Sequence, residues 1–226
     1  MRILTAVGLV ALRSAFAFAQ VADPDPARFE KDIAAFEAED RATPPPAGAA
    51  LFVGSSSIRY WDVGKAFPGV KTIKRGFGGS HISDNIHFAE RIIFPYKPKL
   101  IVFYAGDADV AANKSADQIF AGYKELVAKV HDRLPATPMV IIGTKPSPLH
   151  WKHVDTIRRA NALVRQFVAA DPLLRYAEVD RQLLGADGQP RRELYAENGL
   201  NFNDEGYKVW TDAVKPTIDA AWRAAR

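Results

Sequence analysis

Residues 51–58 (Leu-Phe-Val-Gly-Ser-Ser-Ser-Ile) constrain the fold of this chain more than any other stretch. The apolar residues 49–53 predict a short strand, and Gly54 ends it before three consecutive hydroxyl side chains. A buried strand that ends in this way delivers a small hydroxyl to the carboxyl edge of a parallel sheet, where open α/β folds place their sites. If one of these serines is a nucleophile, the chain must also supply a base, an orienting group and an oxyanion hole.

The rest of the chain alternates apolar runs with helical patterns. Further strands are predicted at residues 70–74, 100–104, 139–142 and 176–179. Helices are predicted over residues 115–133, 154–170 and from 205 to the C-terminus, and Ser115 with Gln118 forms a capping box at the start of the first. Continuous apolar strands that alternate with helices favour a parallel sheet with both faces covered. The predicted fold class is therefore α/β, with three layers and about five parallel strands.

The N-terminal part of the chain divides into two predicted segments. Residues 1–19 are expected to be a signal peptide, because an apolar run follows Arg2 and residues 17–19 (Ala-Phe-Ala) fit a cleavage pattern. Arg13 interrupts the run, so an ordinary N-terminal helix is the alternative. Residues 20–47 are predicted as a helical arm with a Pro-rich connector, and residues 48–226 as the main domain. We therefore expect a periplasmic or secreted protein with no stable membrane insertion after cleavage, because the run is too short to span a bilayer.

Composition excludes several classes of function. Cysteine is absent, so the chain has no disulfide framework, thiolate metal site or cysteine nucleophile. The net charge is only +4 and no run of five basic residues occurs, which argues against nucleic acid as a partner. No phosphate-cradling glycine-rich turn follows the first strand, which argues against a flavodoxin-like cofactor binder, and no cofactor is expected.

Chemically distinctive residues follow three predicted strands and precede the last helix. They are the serine turn at 54–57, residues 75–81 (Arg-Gly-Phe-Gly-Gly-Ser-His), residues 105–109 (Ala-Gly-Asp-Ala-Asp) and residues 198–203 (Asn-Gly-Leu-Asn-Phe-Asn). Because the carboxyl ends of parallel strands share one edge of a sheet, the three strand-end turns are expected to meet there. The fourth segment is a loop that can close over that edge.

The order and spacing of these four blocks resemble the SGNH/GDSL hydrolase family of secreted or periplasmic esterases and acylhydrolases, over residues 48–222. The resemblance implies a flavodoxin-like three-layer fold, Ser56 at the nucleophile position and a Gly79 N–H in the oxyanion hole. Ala108 stands where the family has the oxyanion-hole asparagine. Asn201 occupies the general-base histidine position, and Asn198 the position of the orienting aspartate.

These substitutions remove the groups that would activate Ser56. An amide side chain such as that of Asn201 cannot take up the serine proton. Loss of the base in a comparable triad costs on the order of a million-fold in turnover, and loss of one oxyanion donor about 100- to 1,000-fold. The sequence thus predicts a serine ester hydrolase domain of severely reduced activity that acts on a small-molecule ester or acylated carbohydrate. The alternative is a non-catalytic binding module for an acylated carbohydrate or another envelope ligand.

Three histidines at the same predicted edge are candidate substitute bases. They are His81, His150 and His153, and each can equally be an ordinary loop histidine. His150 and His153 with Asp107 or Asp109 could form a metal site by residue type, but i, i+3 histidines in a proline-containing loop support it weakly, and no metal is predicted. The two aspartates could instead cap the helix that follows the third strand.

Overall fold

The fold was obtained as a computed structural model that describes residues 20–225. Five parallel strands form one sheet in the order β2-β1-β3-β4-β5. The strands are β1 (Ala50–Gly54), β2 (Thr72–Gly76), β3 (Leu100–Tyr104), β4 (Met139–Ile142) and β5 (Leu174–Ala177). The predicted α/β fold with a five-stranded parallel sheet is confirmed.

Ten α-helices connect and cover the strands within the described residues. They are α1 (Glu30–Ala42), α2 (Ser56–Arg59), α3 (Val63–Ala66), α4 (Ile82–His87), α5 (Ala89–Ile92), α6 (Asp107–Ala111), α7 (Ala116–Arg133), α8 (Val154–Ala169), α9 (Asp180–Leu183) and α10 (Asp204–Ala224). The capping box of Ser115 and Gln118 begins α7 as expected. Short 3-10 turns occur at Pro26–Phe29, Phe94–Tyr96, Trp151–His153 and Arg192–Leu194.

Both faces of the sheet are buried, which explains why its central strands are continuous apolar runs. Successive side chains of a strand point to opposite faces. Leu51 and Val53 of β1 enter a core formed with α1, α4, α5, α6, α7 and α8. Ala50 and Phe52 enter a second core formed with α2, α3, α9 and α10. The strand ends of this three-layer arrangement hold the candidate site.

The second core contains a tightly packed pair of tryptophans. The rings of Trp61 and Trp210 lie with centroids 4.7 Å apart, and both residues are at most 2% exposed. Trp61 donates through Nε1 to Thr211 Oγ1 at 2.9 Å, so its one polar atom is satisfied inside the core. This pair joins the segment after α2 to α10, the helix that follows the loop with the two asparagine positions.

Two strands are displaced by two residues from their predicted positions. Strand β2 was predicted at 70–74 and extends instead through Arg75 to Gly76, whereas β5 was predicted at 176–179 and begins at Leu174. Arg75 is buried within β2 because it forms an ion pair with Asp40 and donates through Nε to Tyr96 Oη at 2.7 Å. A prediction from apolar pattern alone ends the strand before Arg75, because it does not anticipate that the arginine is buried with its charge paired.

Helix α1 packs against the first core. Its Ile33 is fully buried, and Arg91 of α5 pairs with Glu30 and Glu37 of α1. The predicted signal peptide at residues 1–19 lies outside the described residues, and the division into arm and main domain stays a prediction. No helix within residues 20–225 is both long and apolar enough to cross a membrane.

Candidate active site

The carboxyl ends of β1, β2 and β3 lie side by side at the same edge of the sheet. Gly54 pairs in register with both Gly76 and Tyr104. The following residues continue this contact, since the Ser55 N–H donates to the Tyr104 carbonyl at 2.9 Å and the Phe77 N–H donates to the Gly54 carbonyl at 3.0 Å. The three strand-end turns therefore begin side by side, which is the arrangement expected from parallel strands.

Ser56 is the first residue of α2 and is half-buried between the buried residues Ser55 and Ser57. A Cβ placed on Gly78 would lie 3.8 Å from Ser56 Cβ, so the glycine turn after β2 runs beside the serine side chain. Gly79 adopts a φ of +82° in this turn and has open space where its Cβ would be. The structure thus brings the proposed nucleophile and the glycine turn together.

Ala108 is the second residue of α6 and lies at the same edge, directly after the segment that follows β3. It is half-buried, whereas its neighbours Asp107 and Asp109 are buried. A methyl group cannot donate a hydrogen bond, so this position supplies no side-chain donor to an oxyanion.

The loop at residues 195–203 carries the other two substituted positions. Asn198 is exposed, and its Oδ1 accepts from the backbone N–H groups of Leu200 and Asn201 at 3.0 Å each. Its side chain is therefore engaged in a turn of its own loop. Asn201 is half-buried, and its Oδ1 is a buried acceptor with no hydrogen-bond partner in the described part of the chain.

This loop is tied to the loop that follows β4. The Leu149 N–H donates to the Gly199 carbonyl at 3.0 Å, and Tyr195 Oη donates to the Pro146 carbonyl at 2.7 Å. Helix α10 is tied to the serine turn, because Tyr207 Oη donates to the Ser57 carbonyl at 3.0 Å. The loop with the asparagine positions is thus anchored at the edge that bears Ser56.

His81, the first candidate substitute base, pairs with an acid. Its Nδ1 lies 3.4 Å from Asp109 Oδ1, which also pairs with Lys114 Nζ at 2.7 Å, and Asp109 Oδ2 accepts from the Ile82 N–H at 3.1 Å. Burial raises the pKa of Asp109, but its contacts with His81 and Lys114 outweigh burial, so the pKa lies below its usual value. Asp109 thus holds a lysine, a histidine and the first N–H of α4.

The other two candidate histidines follow β4. His150 is buried and its ring centroid lies 6.4 Å from that of His153. Burial lowers the pKa of His150. The negative charge of Asp107 opposes this shift, and the positive charge of Lys145 adds to it. His150 is therefore neutral near pH 7, as a base must be before it accepts a proton.

The metal alternative built on His150 and His153 does not fit the structure. Asp109 pairs with Lys114 and His81, and no group of three His, Asp or Glu side chains with metal-ligand spacing in residues 20–225 includes His150 or His153. Among the described residues, the group with metal-ligand geometry is instead Asp23, His81 and Asp109. Lys114 Nζ contacts both of these carboxylates, so an ammonium group already supplies the positive charge there.

Lys145 and Tyr104 are site residues that sequence reasoning missed. Lys145 is fully buried, and its Nζ contacts Ser57 Oγ, Tyr104 Oη and Asp107 Oδ2. The available signal was a lysine three residues after a buried strand, the one charged residue within positions 139–148. A charge in such a position is rarely buried without a partner.

A cleft of about 690 Å³ opens between α2–α3 and the beginning of α10. Its lining includes Tyr60, Lys65, Tyr207 and Lys208, and Ser56 is not part of it. Tyr60 is 56% exposed, which is high for a large aromatic side chain. Because Tyr207 also bonds to the serine turn, the cleft is adjacent to the candidate site.

Comparison with known proteins gives consistent matches. A family described as the GDSL-like Lipase/Acylhydrolase family matches residues 56–209. The platelet-activating factor acetylhydrolase IB subunit alpha1 of Bos taurus is 30% identical over 97 residues, which cover 41% of this chain and only 39% of that protein. The human subunit is 29% identical over the same length and coverage.

Two solved structures illustrate the similarity of fold. A GDSL-like lipase from Bacteroides thetaiotaomicron has a TM-score of 0.71 at 17% identity, over 87% of this chain and 100% of its own. The family 3 carbohydrate esterase of Clostridium thermocellum has a TM-score of 0.64 at 15% identity, over 79% of this chain and 99% of its own. At these identities the structures support the fold and the order of its elements.

Proposed function

Because the chain belongs to the GDSL-like lipase/acylhydrolase family, we propose that it is a serine ester hydrolase domain with severely reduced activity. The resemblance carried by the four sequence blocks is thereby confirmed. One observation carries the proposal of reduced activity. Within residues 20–225, Ser57 Oγ accepts from Lys145 Nζ and the Ser57 carbonyl accepts from Tyr207 Oη, but no hydrogen bond joins Ser56 Oγ to a base. The positions of the family's base and second oxyanion donor hold Asn201 and Ala108.

The chemistry of an intact site shows what this chain lacks. A serine hydroxyl attacks an acyl carbonyl, an acyl-enzyme forms, and water releases the acid, without any cofactor. The hydroxyl must lose its proton during attack, and the amide of Asn201 cannot accept it. The negative charge on the carbonyl oxygen must be stabilised. Of the two family donors, the Gly79 backbone N–H is retained, whereas Ala108 has no side-chain donor.

Lys145 does not replace the missing base. Its Nζ donates to Ser57 Oγ at 3.0 Å, to Tyr104 Oη at 3.1 Å and to Asp107 Oδ2 at 2.6 Å. An ammonium group has three N–H donors, so all are engaged and no lone pair is available. Of the histidines, His81 has an acid beside Nδ1, which supports it over His150 and His153 as a source of residual activity.

We propose a small acyl ester, including acetylated carbohydrate, as the substrate class. Support comes from relatives named as an acetylhydrolase and a carbohydrate esterase. We also propose that the protein is exported, on the strength of residues 17–19 at the end of the predicted signal peptide.

The test is hydrolysis of p-nitrophenyl acetate and butyrate by the wild-type protein and by Ser56→Ala. We expect both to release p-nitrophenol at rates close to the uncatalysed reaction. A normal turnover in the wild type that disappears in Ser56→Ala would refute the proposal and indicate a substitute base. Ser55→Ala is the matched control, because it removes a neighbouring hydroxyl from the same turn.

The second candidate is a non-catalytic binding module for an acylated carbohydrate, favoured by the cleft with the exposed ring of Tyr60. An amphipathic aromatic ring suits a sugar face. Titration calorimetry with acetylated xylo-oligosaccharide would show saturable binding without acetate release, weakened in Tyr60→Ala. Absence of binding at millimolar ligand would reject this candidate.

A further inference from the structure

Lys145 is the centre of a buried polar network beneath the candidate site. Its side chain is completely inaccessible to solvent, and it follows β4 at the edge of the sheet. Lys145 donates twice to Tyr104 Oη, from Nζ at 3.1 Å and from its backbone N–H at 3.3 Å. Tyr104 Oη in turn donates to Asp107 Oδ2 at 2.9 Å.

Each remaining partner of Lys145 is the sequence neighbour of one site position. Ser57, which accepts from Nζ, directly follows Ser56. Asp107, which forms the ion pair at 2.6 Å, directly precedes Ala108. On the third side, Nζ lies 5.6 Å from the ring centroid of Phe202, the residue after Asn201.

The network is buried, and its hydrogen bonds leave the Lys145 ammonium little freedom to rearrange. Burial, with the nearby charge of Asp107 as a further cause, raises the pKa of Tyr104 well above its usual value, so its hydroxyl remains a neutral donor. The ammonium of Lys145 and the carboxylate of Asp107 compensate each other in a region without solvent. A group that is fully buried and fully bonded holds its neighbours more rigidly than an exposed one.

We propose that Lys145 is a positioning residue that fixes the mutual arrangement of three segments: α2 with Ser56, α6 with Ala108, and residues 195–203 with Asn201. This inference rests on the proposed function only in that these segments form the site of an ester hydrolase. The residue acts through its neighbours and touches no reacting atom. Its charge sets where the three site positions lie relative to one another.

The first test needs no catalytic activity. Native-state hydrogen exchange is compared in Lys145→Met and in the control Arg28→Met, which also removes a cation from an ion pair with a buried aspartate, Asp84 of α4. In Lys145→Met we expect exchange to accelerate about tenfold or more in α2, α6 and residues 195–203 together. Arg28→Met should leave these three segments unchanged, because the aspartate that it leaves unpaired lies outside them.

Two results would overturn the proposal at this step. One is unchanged exchange in the three segments of Lys145→Met, and the other is an equal acceleration in both variants. If Lys145→Met fails to fold because Asp107 is left unpaired, the double variant Lys145→Met with Asp107→Asn takes its place, since it buries no lone charge. The same exchange pattern is expected from it.

The second test measures catalysis in a background where the family groups are restored, by Ala108→Asn, Asn198→Asp and Asn201→His. In this restored variant, adding Lys145→Met should lower kcat by about 10- to 100-fold and change KM little, because misplacement of reacting groups affects the chemical step. Adding Arg28→Met should change neither. Equal losses of kcat in both would show a general structural effect and refute a positioning role.

The two tests separate failure of this inference from failure of the proposed function. If the restored variant hydrolyses no ester, the proposed function has failed, and hydrogen exchange still decides whether Lys145 orders the three segments. If the restored variant is active and Lys145→Met leaves both exchange and kcat unchanged, the role of Lys145 is refuted while the proposed function stands.

Discussion

The backbone of Gly54 lies so close to that of Tyr104 that a Cβ on Gly54 would fall 1.8 Å from the Tyr104 carbonyl oxygen. Gly54 also has a φ of +143°, a conformation that other residues rarely adopt. The serine turn thus leaves β1 along a path that only glycine permits. The contact holds Ser55, and with it Ser56, against the end of the neighbouring strand β3.

We predict that Gly54→Ala destabilises the fold by at least about 3 kcal/mol, because backbone strain and a clash with fixed backbone add together. Urea denaturation measures the free energy of unfolding. Gly69→Ala is the matched control, since Gly69 has a negative φ and open space at its Cβ position, and it should change stability little. Similar free energies for the two variants would contradict the close approach.

The restored variant should hydrolyse p-nitrophenyl acetate at least about 1,000-fold faster than the wild type. The reason is that the regained histidine supplies a base worth several orders of magnitude and the asparagine supplies an oxyanion donor. Steady-state kinetics with Ser56→Ala in the same background provides the control, and this variant should lose the gain. An inactive but folded restored variant would mean that the pocket, as well as the triad, has diverged.

The Asp109–Lys114 pair should stabilise the protein only within a defined pH window. Burial lowers the pKa of Lys114, but the charge and hydrogen bonds of Asp109 and Asp23 outweigh burial and raise it above 10.5, while the pKa of Asp109 lies below 3.8. The Asp109 carboxylate therefore contributes fully to the free energy of unfolding above about pH 4, and this contribution is lost as the pH falls through the pKa of Asp109 in the folded protein. The contribution of Lys114 is complete below pH 10.5 and is lost as the pH rises through the pKa of Lys114 in the folded protein.

Asp109→Asn should accordingly cost about 3–5 kcal/mol at neutral pH, since it leaves a buried ammonium with an incomplete partner. The difference from wild type should shrink as unfolding is measured at progressively lower pH below about 4. Asp117→Asn, which removes an exposed partner of Arg159, should give a difference close to zero throughout. A cost for Asp109→Asn that stays constant down to pH 3 would argue against the ion pair as its source.

Helix α1 should contribute to the stability of the whole described unit. Ile33 is fully buried, so Ile33→Ala should lower the free energy of unfolding by about 2–5 kcal/mol. Leu149 is 52% exposed, and Leu149→Ala should change it by less than about 0.5 kcal/mol. If Ile33→Ala affects only hydrogen exchange within α1, the predicted arm is a separate, weakly attached segment.

The sheet could be predicted where sequence pattern and burial agree. Strands β3 and β4 are fully apolar and were located to the residue. The displacement of β2 arose from Arg75, whose burial depends on Asp40 and Tyr96, residues that no local pattern links to it. Hydrophobic periodicity does not predict ion pairs between residues that are distant in the sequence.

The candidate site shows the same division between local and distant causes. The meeting of the serine turn with the glycine turn follows from parallel topology, so it could be expected from the sequence. The role of Lys145 could not, because Ser57, Asp107 and Phe202 come from three distant parts of the chain. Likewise, the pairing of His81 with Asp109 depends on how α4 approaches α6.

The Trp61–Trp210 pair gives the protein an internal fluorescence probe. The two indoles lie in contact inside the second core, while the remaining two tryptophans, Trp151 and Trp222, are half-buried. Exposure of the pair to water would shift their emission to longer wavelength when α10 separates from the sheet. The same optical measurement therefore reports whether the helix that follows the asparagine loop remains docked in each variant.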